Sequence, residues 1–379
     1  DMQVDATGLY SDFTSEFHNS GLDDSMRAAS LSAVDRPASM PCGYEPFVVG
    51  ARTSTLAHYG TVSALFTPAV SNARLGGALP STSWVLSDFL TQAQGQFNVV
   101  HQPCGPQGLF TLQGAPLPSA SWWKGTGSLS FGKVNGDFDA LELLRGDGFS
   151  SSTANTWFSE FLTVRGYWFA LLNWQSPTFF TKALGLSSAM SSIDTPVGLA
   201  RTYLKGNPTE ESDLSSVLAA LKAGAAVAST GPFLDVKVGT VGPGGLVAGP
   251  VGNVNLSINL WKTAWMPVDE IRIVVNGNLT TPIVFNRTSN PSLSQLLTQS
   301  GADTRLYSGN VSVPMPSNGR DAWIVVEAGV PLISPASGLY SSSDYAVWKA
   351  TMRGIYPIAV TNPIFVNVTG GSYKPPSHD

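Results

Sequence analysis

Charge is scarce in this chain. Asp, Glu, Lys and Arg make up 12% of its 379 residues, about half the share of ~25% usual in globular proteins. The formal net charge is −5, and no run of Lys or Arg has useful length. Nucleic acid and anionic membranes both need a positive patch, so neither is expected as a partner. No apolar run reaches the ~18 residues of a membrane-spanning helix. The opening DMQVDATG has neither a basic nor an apolar signal region, so the chain either starts after a removed signal or never had one.

The residues of common catalytic chemistry are also few. There are four histidines, His18, His58, His101 and His378. His58 reads as a packed or strand-end residue, and His378 lies in the polar tail SYKPPSHD. No G-x-S-x-G elbow occurs, since ASTGP and LSSAM lack it. Ser187 or Ser188 with His101 and Asp35 is arithmetically open as a triad. No G-x-G-x-x-G or phosphate-loop pattern opens a helix, so nucleotide cofactors are not expected. The two cysteines sit in Pro/Gly loops, Cys42 in PASMPCGYEP and Cys104 in HQPCGPQG. A disulfide between them would close a loop of about 60 residues, worth about 4 kcal/mol on chain entropy; two unlinked thiols are the alternative.

What the chain has in quantity is Gly (38), Pro (26) and apolar side chains, with mean hydropathy +0.08. Disorder is therefore a poor reading, and the surface must be largely Ser, Thr, Asn, Gln and backbone. Sequons stand at Asn255, Asn278, Asn286, Asn310 and Asn367. They permit a secreted protein, and low charge fits export, so an extracellular or periplasmic location is expected. The length suits two domains.

Strand and helix patterns alternate before residue 230. AHYGTVSALFTPAV and GQFNVVHQP read as strands, the second a core strand ended by Pro103. FDALELLRG reads as a buried strand with a carboxylate, Glu142, near its middle. Leu79 to Gly95 reads as a turn and amphipathic helix. WFSEFLTVRGYWFALLNWQ reads as a helix whose aromatics belong to the core. TEESDLSSVLAALKAGA reads as a helix with Thr209 or Ser212 as N-cap and Gly224 as its end. After Pro232 the runs FLDVKVG, VNLSINLW, DEIRIVVNGN, SGNVSVPMP, RDAWIVVEAG and PIFVNVTG have period two, and Asn276–Gly277 signals a hairpin. An antiparallel β-sandwich follows from that grammar.

GDFDALELLRG, GYWFALLN, the G-x-x-R-T-Y stretch from Gly198 to Tyr203, and STGPF from Ser229 to Phe233 occur in that order. With them the chain resembles the PHP superfamily of metallohydrolases, in the branch of CehA/McbA-type hydrolases, over about residues 10 to 235. The resemblance implies a distorted (β/α) barrel over residues 1–234 and a β-sandwich over residues 235–379. It also implies a metal cluster at the C-terminal strand ends, held by His and carboxylates. The D-x-H-x-H motif looks like Asp12-Phe13-Thr14-Ser15-Glu16, or in another register involves Tyr10 and Asp12; neither restores a histidine. T-D-H looks like Val34-Asp35-Arg36, N-H-P like Val100-His101-Gln102-Pro103, and P-G-x-E like Thr67-Pro68-Ala69-Val70. The closing G-x-S-D-S-H looks like Gly185-Leu186-Ser187-Ser188-Ala189-Met190, with both ligands replaced.

The surviving candidates for catalysis are Asp12, Glu16, Asp35 and His101. Asp12, Asp35 and His101 would suit one divalent Zn, Mn or Fe ion, too few groups for a cluster, and Arg36 would repel a cation. Glu16, His18 and Asp35 are a further acid–base grouping, against which stands His18 as a turn residue. Arg36, Arg201 and Tyr203 are the ligand-binding candidates for a small anion, while Arg201 equally suits a structural ion pair. The expectation is a non-catalytic, exported PHP-like protein without cofactor, acting through a protein partner or self-association. The alternatives are a hydrolase of phosphoester or related bonds with a reduced metal site, and a metal-free lyase or hydrolase using His101 with Arg36.

Overall fold

A computed structural model describes residues 3–5, 48–50, 61–65, 96–101, 103–104, 109–112, 138–146, 154–186, 199–205, 214–249, 252–263, 265–286, 289–290, 305–331, 346–348, 350 and 355–377. These residues form a mixed α/β structure, mostly sheet with few helices, and among them no barrel closes. The chain divides into two compact units that interleave in sequence. One holds Asp1–Glu142 and Lys205–Lys222; the other holds Leu143–Leu204 and Ala223–Asp379.

In the first unit β1 (Gln3–Asp5) pairs in parallel with β2 (Val48–Gly50). β3 (Thr61–Leu65) lies antiparallel to β4 (Phe97–His101), and β4 lies parallel to β5 (Ala140–Arg145), whose first three residues belong to this unit. Flanked on both edges, β4 is buried at all five positions. That explains its unbroken apolar reading, because only a strand covered on both faces dispenses with alternation. Asn98 and Asp139 tie the two strands at the start. The Asn98 N–H donates to Asp139 Oδ2 at 2.8 Å, and the Asp139 N–H donates to the Asn98 carbonyl at 2.8 Å. Pro103, with no N–H to give, accepts instead from the Phe110 N–H at 2.8 Å, where α1 (Leu109–Leu112) begins.

The second unit is built around one helix and a large mixed sheet. α2 (Ala154–Leu172) carries Trp157, Phe158, Phe161, Trp168, Phe169, Leu171 and Leu172, all buried. The aromatic run is thus core, as its density predicts. β6 (Lys182–Leu186) and β7 (Arg201–Leu204) follow, and then α3 (Leu214–Ala223), which belongs to the first unit up to Lys222. α3 is amphipathic: Leu221 is buried, Val217 and Leu218 are half-buried, and Ser215, Ser216, Ala219 and Lys222 are exposed.

The remaining strands are β8 (Ala226–Ser229), β9 (Phe233–Val238), β10 (Leu246–Val247), β11 (Asn253–Trp261), β12 (Glu270–Val275), β13 (Ile283–Asn286), β14 (Arg305–Pro314), β15 (Ala322–Gly329), β16 (Ile358–Thr361) and β17 (Ile364–Val366). The large sheet runs β10-β17-β15-β16-β8-β7, with β12 also on β15 and β13 on β12. A separate three-stranded sheet runs β14-β11-β9. Asn276 and Gly277 have φ of 52° and 73°, the left-handed pair of a type I′ turn, and open the connection between the antiparallel β12 and β13.

The period-two reading holds for one sheet and fails for the other. β11 alternates, with Val254, Leu256, Ile258 and Leu260 buried between exposed or half-exposed positions. β15 is buried at all eight positions and β12 at five of six. Arg272 lies directly opposite Glu327 across the β12–β15 ladder, and Glu270 shares that face. In sequence, Glu270 and Arg272 alternate with isoleucines as a solvated face would. Here they are buried, because α2 packs over the same side through Phe169 on Trp323, with ring centroids 5.1 Å apart. From α2, Arg165 Nη1 donates to Glu327 Oε2 at 2.9 Å, and Arg272 Nη2 donates to Glu270 Oε1 at 2.7 Å.

Two predictions follow from these contacts. Gly224 ends α3 with φ of +68°, and a Cβ there would lie 2.2 Å from Phe180 Cζ. The Phe180 ring is itself held edge-on against Phe365 at 4.9 Å. Gly224→Ala should cost about 2 kcal/mol or more in a urea melt, from left-handed strain and overpacking together. The Glu327 carboxyl is pushed above its ordinary 4.5, first by burial and further by Glu270, against the pull of Arg165 and Arg272. A raised carboxyl pKa means that the folded state holds the proton more tightly than the unfolded state. The stability it contributes is full below pH 4.5 and is lost as pH rises through the folded value. Urea midpoints across that interval should fall more steeply for the wild type than for Glu327→Gln; equal slopes would refute the assignment.

Candidate functional site

His101 is the last residue of β4, one position past Val100, which pairs with Leu141 of β5. Parallel register therefore brings His101 alongside Glu142. The imidazole Nδ1 stands 3.7 Å from Glu142 Oε2, and each residue is 8% exposed. At that separation the carboxylate steers the ring electrostatically rather than through a hydrogen bond. A buried imidazole facing a carboxylate can relay a proton or supply two donors to one cation. The sequence marks Glu142 as a carboxylate inside a buried strand, yet gives it no role; strand register, invisible in the sequence, is the missing signal. Cys104 follows in the turn after β4 and is half-buried.

Among the described residues no group of three or more His, Cys, Asp and Glu side chains stands together. Asp12, Glu16, Asp35 and Arg36 lie outside the described residues, as do His18, Cys42, His58, Ser187, Ser188, Met190, His378 and the stretch from Leu79 to Gly95. The structure therefore brings His101 to Glu142 and leaves the rest of the expected donor set unplaced.

Arg201 and Tyr203 belong to the other unit and form the second candidate. They sit two apart on β7, the end strand of the large sheet, and so share a face. Arg201 is exposed, and its Cζ lies 5.8 Å from the centroid of the half-buried Tyr203 ring. Among the described residues it has no carboxylate within ion-pair distance. Thr202, between them, points to β6. Its hydroxyl accepts from the Gly185 N–H at 3.1 Å and donates to the Gly185 carbonyl at 2.9 Å. A Cβ on Gly185 would meet the Arg201 carbonyl oxygen at 2.6 Å. The glycine lets the two strands approach, and this approach sets the height of Arg201 on the sheet.

The STGPF segment joins β8 to β9, and its hydroxyls are committed to backbone. Ser229 Oγ donates to the Pro232 carbonyl at 2.5 Å and accepts from the Gly231 N–H at 2.8 Å. Thr230 Oγ1 donates to the Tyr356 carbonyl at 2.5 Å and accepts from the Ile358 N–H at 2.9 Å. Both side chains are fully buried. These are the bonds of a tight corner, with no hydroxyl left to act as a nucleophile.

No protein-family model, curated protein or solved structure matches the chain.

If the Thr230 hydroxyl is corner glue, Thr230→Val should cost about 1–3 kcal/mol, since the isosteric change leaves the buried Ile358 N–H unsatisfied. A urea midpoint unchanged from wild type would show that the hydroxyl has another purpose.

Proposed function

We propose that this chain is a non-catalytic, exported PHP-like protein, a distorted (β/α) barrel ahead of an antiparallel β-sandwich, acting in binding, structure or assembly. The observation that carries the reading is the setting of His101. The one histidine that the resemblance keeps at a ligand position is buried against Glu142 inside a sheet. The hydroxyls of the retained STGPF segment are likewise absorbed into backbone bonds.

Surface chemistry supports an assembly role. On the outer face of the β9–β11–β14 sheet, Asn255 lies opposite Ser312, Ser257 opposite Asn310, and Asn259 opposite Ser308. The charges beside them, Asp235 and Lys237, neutralise each other at 2.7 Å. Such a face loses little on being covered, because few ions must be desolvated. Trp265, 38% exposed, is backed by the stacked and buried Trp348 at 5.4 Å, and Val347 beside it is 49% exposed. Export is supported by the sequon residues Asn255, Asn278 and Asn310, which are exposed, whereas Asn367 is buried with its amide engaged by Gly370 and Gly371. No helix among the described residues is long and apolar enough to cross a membrane.

One observation favours a second reading, a hydrolase of phosphoester or related bonds with a single Zn, Mn or Fe ion. His101 and Glu142 stand side by side, an imidazole next to a carboxyl group, a suitable fragment of a donor set. Metal analysis and light scattering of natively purified protein separate the two. The first reading expects well under one metal per chain, no turnover of bis(p-nitrophenyl) phosphate, and a mass above that of one chain. One tightly held ion per chain, lost together with turnover in His101→Ala, would overturn it.

A further inference from the structure

We propose that Arg201, Tyr203, Phe233 and Trp261 form a binding site for a small carboxylate carried on a flat aromatic body. The inference deepens the binding role proposed above and rests on it. Register creates the site. Phe233 opens β9 and lies directly opposite Trp261 at the end of β11. The Tyr203 ring meets Phe233 edge-on at 4.9 Å and 69°, and Phe233 meets Trp261 at 5.4 Å and 38°. All three rings are half-buried, and the exposed Arg201 guanidinium stands beside the first of them. The result is a row of aromatic surface with one cation at its end.

Two features of the row point to a ligand rather than to a core edge. Arg201 presents a planar fork of N–H donors that no carboxylate among the described residues occupies, and the Tyr203 hydroxyl has no hydrogen bond among them. In a chain with net charge −5 and only 12% charged residues, an exposed guanidinium with no acid beside it among the described residues is complementary to an anion. A guanidinium takes a carboxylate through two parallel bonds, and half-exposed rings offer a flat apolar body a surface to lie against. One guanidinium balances a singly charged carboxylate. A bare phosphate would use the fork and leave the aromatic row idle.

The test uses the full chain and 2-naphthoate as probe, with acetate, inorganic phosphate and uncharged 2-naphthalenemethanol as controls, read by calorimetry. The wild type should bind 2-naphthoate at least about tenfold more tightly than acetate or phosphate. Arg201→Gln should lose about tenfold of that affinity while its weak hold on 2-naphthalenemethanol stays the same. Trp261→Leu should weaken both aromatic probes. Urea midpoints matching wild type for Arg201→Gln exclude misfolding as the cause. Equal naphthoate affinity in wild type and Arg201→Gln, or no naphthoate binding by a wild type that still assembles and lacks metal, would overturn this site and leave the broader role standing. Stoichiometric metal with turnover would instead overturn that role.

Discussion

Glu327 is a carboxyl group sealed from bulk solvent, and much of the second unit is arranged around that constraint. It lies in the middle strand of the large sheet, fully buried, under a helix dense with aromatics. Arg272 reaches it from the neighbouring strand, with Nε 3.9 Å from Glu327 Oε2, and Arg165 reaches it from the helix above. Glu270 completes a set of two cations and two anions. Removing one member of such a set strands a buried charge, at a cost of about 3–5 kcal/mol. Geometry gives the cluster a second effect. A one-residue slip of β12 against β15 would turn Arg272 to the opposite, apolar face. A helix shifted by one residue would rotate Arg165 off the sheet together with Phe161 and Phe169, one turn to either side of it on the same helix, whose rings flank its guanidinium at 5.5 and 5.9 Å and the second of which packs on Trp323. The ion cluster and the aromatic packing therefore select the same strand register and the same helix position.

The same economy appears where the sheet turns. β15 changes partner midway, from β17 to β16, and the chain between them must bend at Thr361, Asn362 and Pro363. The bend exposes backbone groups that would otherwise be orphaned in the core. Thr361 Oγ1 accepts the Val326 N–H at 3.0 Å, and Asn362 acts as a false strand, accepting from the Ala183 N–H at 2.8 Å and donating to the Ala183 carbonyl at 3.2 Å. At the start of β15, Asp321 gathers the N–H groups of Val368, Thr369 and Lys374 at 2.5–2.9 Å and so pins the C-terminal segment. Tyr373, buried next to that carboxylate, is held firmly protonated, by burial first and by Asp321 second. Side-chain amides, hydroxyls and one carboxylate replace missing ladder bonds throughout.

These solutions bear on how much of the molecule could be read from its residues. Local grammar was legible: Phe97–His101 as a core strand, Ala154–Leu172 as an apolar helix, Gly224 as a helix stop and Asn276–Gly277 as a turn all follow from short-range preferences. Burial of Glu270, Arg272 and Glu327 was not, because EIRIVV has the alternation of a half-wet strand, Glu327 ends an apolar run like a strand-end charge, and only the covering helix makes both faces dry. The pairing of His101 with Glu142 was hidden for a related reason. Forty-one positions of chain separate them, and parallel register, rather than any motif, closes the gap. Phe233 and Trp261 were legible as strand aromatics but not as neighbours of Tyr203, since cross-strand rows are set by three strands at once. The barrel named by the resemblance rests largely on residues outside those described, so its ligand positions stay expectations of the sequence.

Scarcity of charge, read first as an exclusion, acquires a positive meaning in the fold. Glu142, Arg165, Lys182, Lys262, Glu270, Arg272, Asp321 and Glu327 are all buried, each beside a structural partner: an opposite charge, a backbone group, the His101 imidazole for Glu142 or, for Lys182, the Phe180 ring at 4.6 Å. A chain with few ions has placed a notable share of them where they set register and corners. Among the described residues, what remains outside is largely Ser, Thr, Asn, Gly and Ala, a surface whose contacts are short-ranged and little screened by salt. Recognition on such a surface depends on shape and on donor–acceptor matching. Against it an exposed guanidinium beside a row of rings carries more information than it would on an ordinary, highly charged protein.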